Sequence, residues 1–246
     1  MEFVRNEGQS LPSPAPSSSL TAITKSASSL PTPRHYPLKP GSQKEIAFIN
    51  YVDSKILHIN RRYAKKFSSG RDETDEEARG YDDFENAVED LEHVLDAIWV
   101  SGTPTLQIPY LLSLAGLIAE FLPSFPFNEG PTMHLVDKMD QAFAILLSQR
   151  KDSTVPFASD ASNQLVSVTD RVRIRSVIES TRVIAVEAST KDRASADTQD
   201  ASEGFTESEY EELTSADSNV QSRNSLNMSI SRMYERSLSI LGDSLG

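Results

Sequence analysis

There is no cysteine in the 246 residues. That excludes disulfide frameworks, thiolate nucleophiles and cysteine-based zinc or iron–sulfur sites, and it fits a reducing compartment. Aromatic residues are scarce at 7%, and hydrophobic residues of all kinds reach only 38%. That is below the usual globular share, so much of the chain is expected to lie outside any core. Positive charge is in the minority. Lys and Arg number 24 against 36 Asp and Glu, for a net charge of -12. An acidic chain is repelled by phosphate backbones and anionic lipid surfaces. Glycine-rich phosphate loops and Gly-x-Ser-x-Gly elbows are missing too. His35, His58, His93 and His134 stand at no metal-ligand spacing from one another. The carboxylates between 72 and 96 are too regular to suggest a tuned acid/base pair. No catalytic residue, metal, cofactor or small-molecule substrate is expected, and the chain reads as a non-enzyme.

The first twenty residues lack a basic stretch followed by an apolar one, and they carry Glu2 and Glu7. No secretory or mitochondrial leader is expected, and Glu2 stands where myristoylation needs glycine. The default location is cytoplasmic or nuclear. Residues 1–41 are rich in Ser, Pro and Thr. Such a run buries too little apolar surface to offset its backbone entropy, so it is expected to be a disordered tail. Ser13-Pro14 and Thr32-Pro33 match proline-directed phosphorylation, and an inert solvated tail explains them equally well.

What is present is helical periodicity. Ile46, Ile49, Val52, Ile56, Ile59, Tyr63 and Phe67 recur at steps of three and four, the signature of an amphipathic helix. Ser42 and Glu45 have capping-box spacing, and Gly70 follows the end. A charged loop, "SSGRDETDEEARG", leads to Tyr81, Phe84, Val88, Leu91, Leu95 and Ile98, a narrow seam of coiled-coil type. Lys55 to Arg71 holds bases and no acid, whereas 72–96 is dominated by acids. An antiparallel hairpin of these two helices is expected, with charge choosing the partner and the apolar seam supplying the stability.

Between Asp96 and Glu120 there is no charge. A membrane helix needs about 20 continuous apolar residues. Here the mostly apolar run is Ile108–Ala119, stopped by "SGTPT" before it and by Glu120 and "PSFP" after it. The expectation is a short buried helix with Pro109 in its first turn, with no transmembrane segment. Leu111, Leu112, Leu114, Ala115, Leu117, Ile118 and Leu122 form its centre, and Ala115, Gly116 and Ala119 admit a close neighbour. Leu135, Val136, Met139, Phe143, Leu146 and Leu147 define a fourth helix opened by Pro131 and Thr132. Residues 151–166 read as a linker.

The segment 168–188 reads as helix or strand, because Val172 and Ile174 alternate with Arg while Val177, Ile178, Thr181 and Ile184 keep helical spacing. Helix is favoured, with Asp170 as N-cap and with Arg171, Arg173 and Arg175 reaching the acidic second helix. The stretch 191–224 is acidic, Ser-rich and expected to be disordered; Ser202, Thr206 and Ser208 suit acid-directed kinases. Leu226, Ile230, Met233, Tyr234, Leu238 and Leu241 then share one face, an amphipathic helix over 225–241 on a long tether, which suits a partner's groove.

The segment "DLEHVLDAIWVSGTPTLQIPYLLSLAGLIAEFLPSFPF" resembles an uncharacterised family of filamentous-fungal helical proteins. The resemblance covers the second and third helices and the following turn. It implies a helical core and transfers no activity to particular residues.

The sequence therefore predicts an all-α protein. A compact four- to five-helix bundle occupies 42–190, with a disordered N-terminal tail and an acidic C-terminal linker, and the six residues from Leu226 to Leu241 dock a partner. The expected function is that of a non-enzymatic adaptor or accessory subunit of an intracellular complex. Nucleic acid is an unlikely partner, because "RRYAKKF" is the one basic cluster with aromatics and acids follow it. Two rivals are a nuclear regulator using "GFTESEYEEL" as an activation-type segment, and a peripheral membrane-trafficking component.

Overall fold

Ser42 starts the first helix as its spacing predicts. Its Oγ accepts the Glu45 N–H at 3.2 Å, filling a donor that a helix start leaves open, and the Glu45 carboxylate reaches back past the cap to the Gly41 N–H at 2.6 Å. The structure is a computed structural model that describes residues 29–66, 79–149, 165–200 and 224–245. Its elements are α1 (Gln43–Ala64), α2 (Phe84–Val100), α3 (Pro104–Phe121), a 3₁₀ turn (Leu122–Ser124), α4 (Glu129–Ser148), α5 (Val168–Asp200), α6 (224–231) and α7 (Glu235–Leu245). Among the described residues every regular element is helical, and the fold is all-α. The loop expected at 68–80 lies mostly, and the linker at 151–166 almost wholly, outside the described residues, and most of the acidic stretch and of the N-terminal tail does as well.

The first two helices form the expected hairpin. Tyr81 donates its N–H to the Arg62 carbonyl, and the Arg62 guanidinium binds Asp90 at 2.6 Å. Arg62 also lies 4.3 Å above the Tyr81 ring, whose hydroxyl donates to the same Asp90 at 2.7 Å. Burial and this bond to an anion both hold the Tyr81 hydroxyl above its ordinary pKa. Tyr81, Phe84, Val88, Leu91, Leu95 and Ile98 are all buried, as their spacing predicts. Ala87, Val94 and Trp99 are buried as well, so the stripe is wider than a coiled-coil seam. Of the α1 residues expected inside, Val52 and Ile59 are buried and Ile46 is exposed. Tyr63 stacks on Phe121 at 3.9 Å and binds Ser124 through its hydroxyl.

Helix α3 is the centre, touching α2, α4 and α5. It is longer than the charge-free run predicts. Thr103 and Pro104 open it, since proline suits a first helical turn, and Pro109 therefore lies inside the helix. The bond lost there is tolerable because both Pro109 and Thr105, whose carbonyl it frees, are exposed. Ile108, Leu111, Leu114, Ala115, Ile118 and Phe121 face inward. Gly116 does not serve close packing: a Cβ added there would touch nothing. Pro104–Ser124 is long and apolar enough to cross a membrane by length and composition alone; here its inner face is covered by the other helices.

Helix α4 sits beside α2, with Glu92 against His134 and Asp96 against Lys138. Its six expected core residues are buried. Segment 168–188 is helix, and α5 continues to Asp200, into the stretch expected to be disordered. Its N-cap is Ser167 rather than Asp170: Ser167 Oγ accepts the Asp170 N–H at 3.1 Å. The arginines do not reach α2. Arg171 is buried and donates to the Leu147 carbonyl at 2.9 Å, closing the end of α4. Arg173 lies near Asp170 and Arg175 binds Glu179. The last part of the expected tail, 29–41, is laid across the bundle as an extended strap. Its N–H groups at Leu30, Arg34 and Leu38 donate to Gln141 Oε1, the Val100 carbonyl and Thr103 Oγ1.

Candidate protein-interaction site

The C-terminal segment was expected to be one free amphipathic helix. It is two helices with a turn at 232–234, and both pack on the bundle. Tyr234 makes the break with φ of 58°. A non-glycine residue in that left-handed region costs about 1–2 kcal/mol. Its ring is buried, and among the described residues its hydroxyl has no hydrogen-bond partner. Burial first, and Asp140 second, raise the pKa of that hydroxyl.

Asp140 of α4 explains how the turn is held. Its carboxylate, almost fully buried, accepts the backbone N–H of Arg236 at 3.2 Å and of Ser237 at 2.9 Å. The Ser237 hydroxyl adds a bond of 2.6 Å. The first turn of α7 thus has its open donors filled by a carboxylate 97 positions away, in place of a local N-cap. The negative charge at the helix start is also favourable for the helix dipole. Arg236 completes the clip by binding Asp137 at 2.6 Å.

The six residues predicted to dock a partner are accordingly brought together on the chain's own core. Ile230, Met233, Tyr234 and Leu241 are buried, and Leu226 and Leu238 pack partly buried against it. The spacing groups six residues that do meet the core, through two helices and not the single one expected. What it lacked was any sign of Asp140 as the acceptor, because that pairing spans two elements far apart in the chain.

An apolar surface that remains open lies on α5. Val168, Val172, Val183 and Val186 are between 51% and 57% exposed. Beside the last two, Arg182 donates to the Ser231 carbonyl of α6 at 2.9 Å. The helices bound an open cavity of about 670 Å³ lined by Glu179, Val183, Val186, Thr190, Asn227 and Ile230. A second concavity of about 570 Å³ lies between α1 and α2, and its walls are polar: Lys55, His58 and Arg62 face Glu89, Asp90 and His93. Among the described residues no group of three or more metal-ligating side chains occurs. The α5 surface can offer area and shape to another helix, and the α1–α2 cleft offers opposed charges.

The sequence model of one protein family, described as subunit 11 of the general transcription factor TFIIH, matches residues 80–242. The chain belongs to this TFB6 family. The match is more than half of the chain, and it runs from just before α2 into α7, taking in the clip and the open face of α5. Helix α1 and the strap lie before the TFB6 match. No curated protein and no solved structure matches the chain.

Proposed function

We propose that the protein is a non-enzymatic accessory subunit of TFIIH, acting in the nucleus through helix–helix contacts. The observation that carries this reading is the family match across all helices from α2 to α7. The physical character of the surface agrees with it. The chain is acidic, which disfavours direct attachment to a nucleic-acid backbone, and it carries an open apolar helix face suited to another protein. Of the two expected locations the family favours the nucleus. Membership gives no support to the trafficking reading. The rival that uses "GFTESEYEEL" as an activation-type segment rests on residues outside the described ones.

The role assigned here to Leu226, Ile230, Met233, Tyr234, Leu238 and Leu241 is indirect. By packing on α4 they hold α6 beside α5 and so build one wall of the open groove. Direct docking through the same face would first require Asp140 to release α7.

The test is affinity purification of the tagged full chain from nuclear extract, with quantitative mass spectrometry. The reading expects TFIIH subunits in constant ratio to the chain across salt concentrations. Recovery of the chain with coat or tether components and without TFIIH subunits contradicts it.

A further inference from the structure

We propose that Thr32, in the strap at 29–41, is a phosphorylation site for a proline-directed kinase, and that the phosphate frees the strap from the turn between α2 and α3. The strap lies before the residues of the family match, and the inference stands apart from the functional reading.

Three hydroxyl residues precede a proline in this chain: Ser13, Thr32 and Thr103. A proline after the acceptor has no N–H. A kinase pocket with no acceptor at that place admits it and disfavours other residues, which would bury an unpaired donor. The fold separates the three. Ser13 lies outside the described residues. Thr103 is buried and its Oγ1 is engaged, accepting the Leu38 N–H at 2.8 Å and donating to the Ser101 carbonyl at 2.9 Å. Thr32 is exposed, in backbone that is neither helix nor turn. Pro31 and Pro33 offer no N–H on either side, and among the described residues none of the three hydrogen-bonds to the bundle. The hydroxyl is therefore accessible without unfolding of the helices. In the transfer step Thr32 Oγ1 bonds to the γ-phosphorus of ATP and the bond from that phosphorus to the bridging oxygen breaks. ADP leaves, and the hydroxyl proton passes to the kinase's carboxylate base.

The place of Thr32 gives the phosphate its effect. Two residues before it, the Leu30 N–H donates to Gln141 Oε1 at 3.1 Å. Two residues after it, the Arg34 N–H donates to the Val100 carbonyl at 3.1 Å. Each acceptor stands one turn along its helix from a carboxylate, Asp137 on α4 and Asp96 on α2, and Arg236 and Lys138 already bind those acids. A phosphothreonine brings a charge of about -2 beside them, on a chain whose net charge is already -12. Arg34 is the cation nearest in the chain, but a pair with it forms inside the strap and ties nothing to the bundle. Among the described residues the strap is held by three N–H bonds, with Leu30 and Leu38 against the core. So small a set opens without the rest of the fold. Release uncovers Gly102, where an added Cβ would now meet the Arg34 carbonyl at 2.7 Å.

The experiment incubates the full chain with magnesium ATP and a mitogen-activated protein kinase, maps the phosphate by mass spectrometry and follows amide hydrogen exchange. Thr32 should take phosphate and Thr103 should not. In the phosphorylated chain the amides of Leu30, Arg34 and Leu38 should exchange about tenfold faster or more, with α2 and α4 unchanged. Thr32→Val keeps the extended backbone and lacks the hydroxyl, so its strap amides should exchange as in the untreated chain after the same treatment. Phosphopeptides of the chain isolated from growing and from stressed cells, with phosphatases inhibited, should include Thr32. A Thr32 left unmodified in the treated chain, or in cells under both conditions, overturns the site. Strap amides that exchange at the untreated rate once Thr32 is phosphorylated, or equally fast in treated Thr32→Val, overturn the release.

Discussion

Helix α7 and the outer face of α5 are both apolar stripes at helical spacing, yet one is covered by the chain itself and the other is open. Apolar area does not separate them. The polar anchor does. The α7 stripe arrives with a helix start whose Arg236 and Ser237 N–H groups, and the Ser237 hydroxyl, all donate to the buried Asp140 carboxylate. Such bonds fix one position and orientation, and desolvation makes their loss costly. The outer stripe of α5 has exposed charges around it, Arg175 with its own Glu179 among them, and nothing to hold it against the bundle. A stripe becomes part of a core when it brings partners for the backbone groups that are buried with it.

The largest effect should come from removing the covered stripe. Deleting 224–246 exposes the surface under Ile230, Met233, Tyr234 and Leu241. Each such side chain contributes about 1.5–3 kcal/mol, against a total stability of about 5–15 kcal/mol. The deleted protein is expected to lose its cooperative melt near the wild-type temperature, by circular dichroism. Equal melting of the two proteins would place α7 with α5 among the free surfaces.

Asp140→Ala is expected to cost about 3 kcal/mol in urea unfolding, because it strands two backbone N–H groups and leaves the buried Ser237 hydroxyl only the carbonyl of residue 140 as acceptor. Asp140→Asn keeps an acceptor and should cost less. A loss under about 0.5 kcal/mol for the alanine variant would mean that the polar anchor is not what distinguishes the two stripes.

Tyr234→Phe sharpens the comparison from the other side. The hydroxyl it removes is buried and has no partner among the described residues, so the variant should be as stable as the wild type or more stable by up to about 1 kcal/mol. Marked destabilisation would reveal a bond that this account omits. The smallest effect belongs to the open stripe. Val172→Ala and Val183→Ala remove exposed methyl groups and improve helix propensity, so each should change stability by no more than about 0.5 kcal/mol.

Much of this fold is legible in the sequence, for a physical reason. Helices α2 and α4 each have one apolar side, so Tyr81 to Ile98 and Leu135 to Leu147 name their own buried faces. Helix α5 is harder because it has two apolar sides. Val172 on the outer one and Ile174 on the inner one alternate with arginines, and that reads as a strand as readily as a helix. The start of α3 is hidden because Pro104 and Pro109 look alike as helix openers until Thr103 is seen in place. The strap at 29–41 is held by N–H groups that meet Gln141, Val100 and Thr103 and by Leu30 and Leu38 against the core, pairings that composition does not express. The site was half legible. The shared face of Leu226 to Leu241 follows from spacing, whereas its break at Tyr234 has no glycine or proline to mark it, and its anchor on Asp140 is a long-range pairing that no local pattern encodes.

The measurement that tests the central contrast most directly is hydroxyl-radical footprinting of the full chain, read at single residues. In the free chain Val172, Val183 and Val186 should react, while Met233, Tyr234 and Leu241 should be protected. Valines that are protected, or a Met233 that reacts as readily as the exposed Met228, would contradict the account.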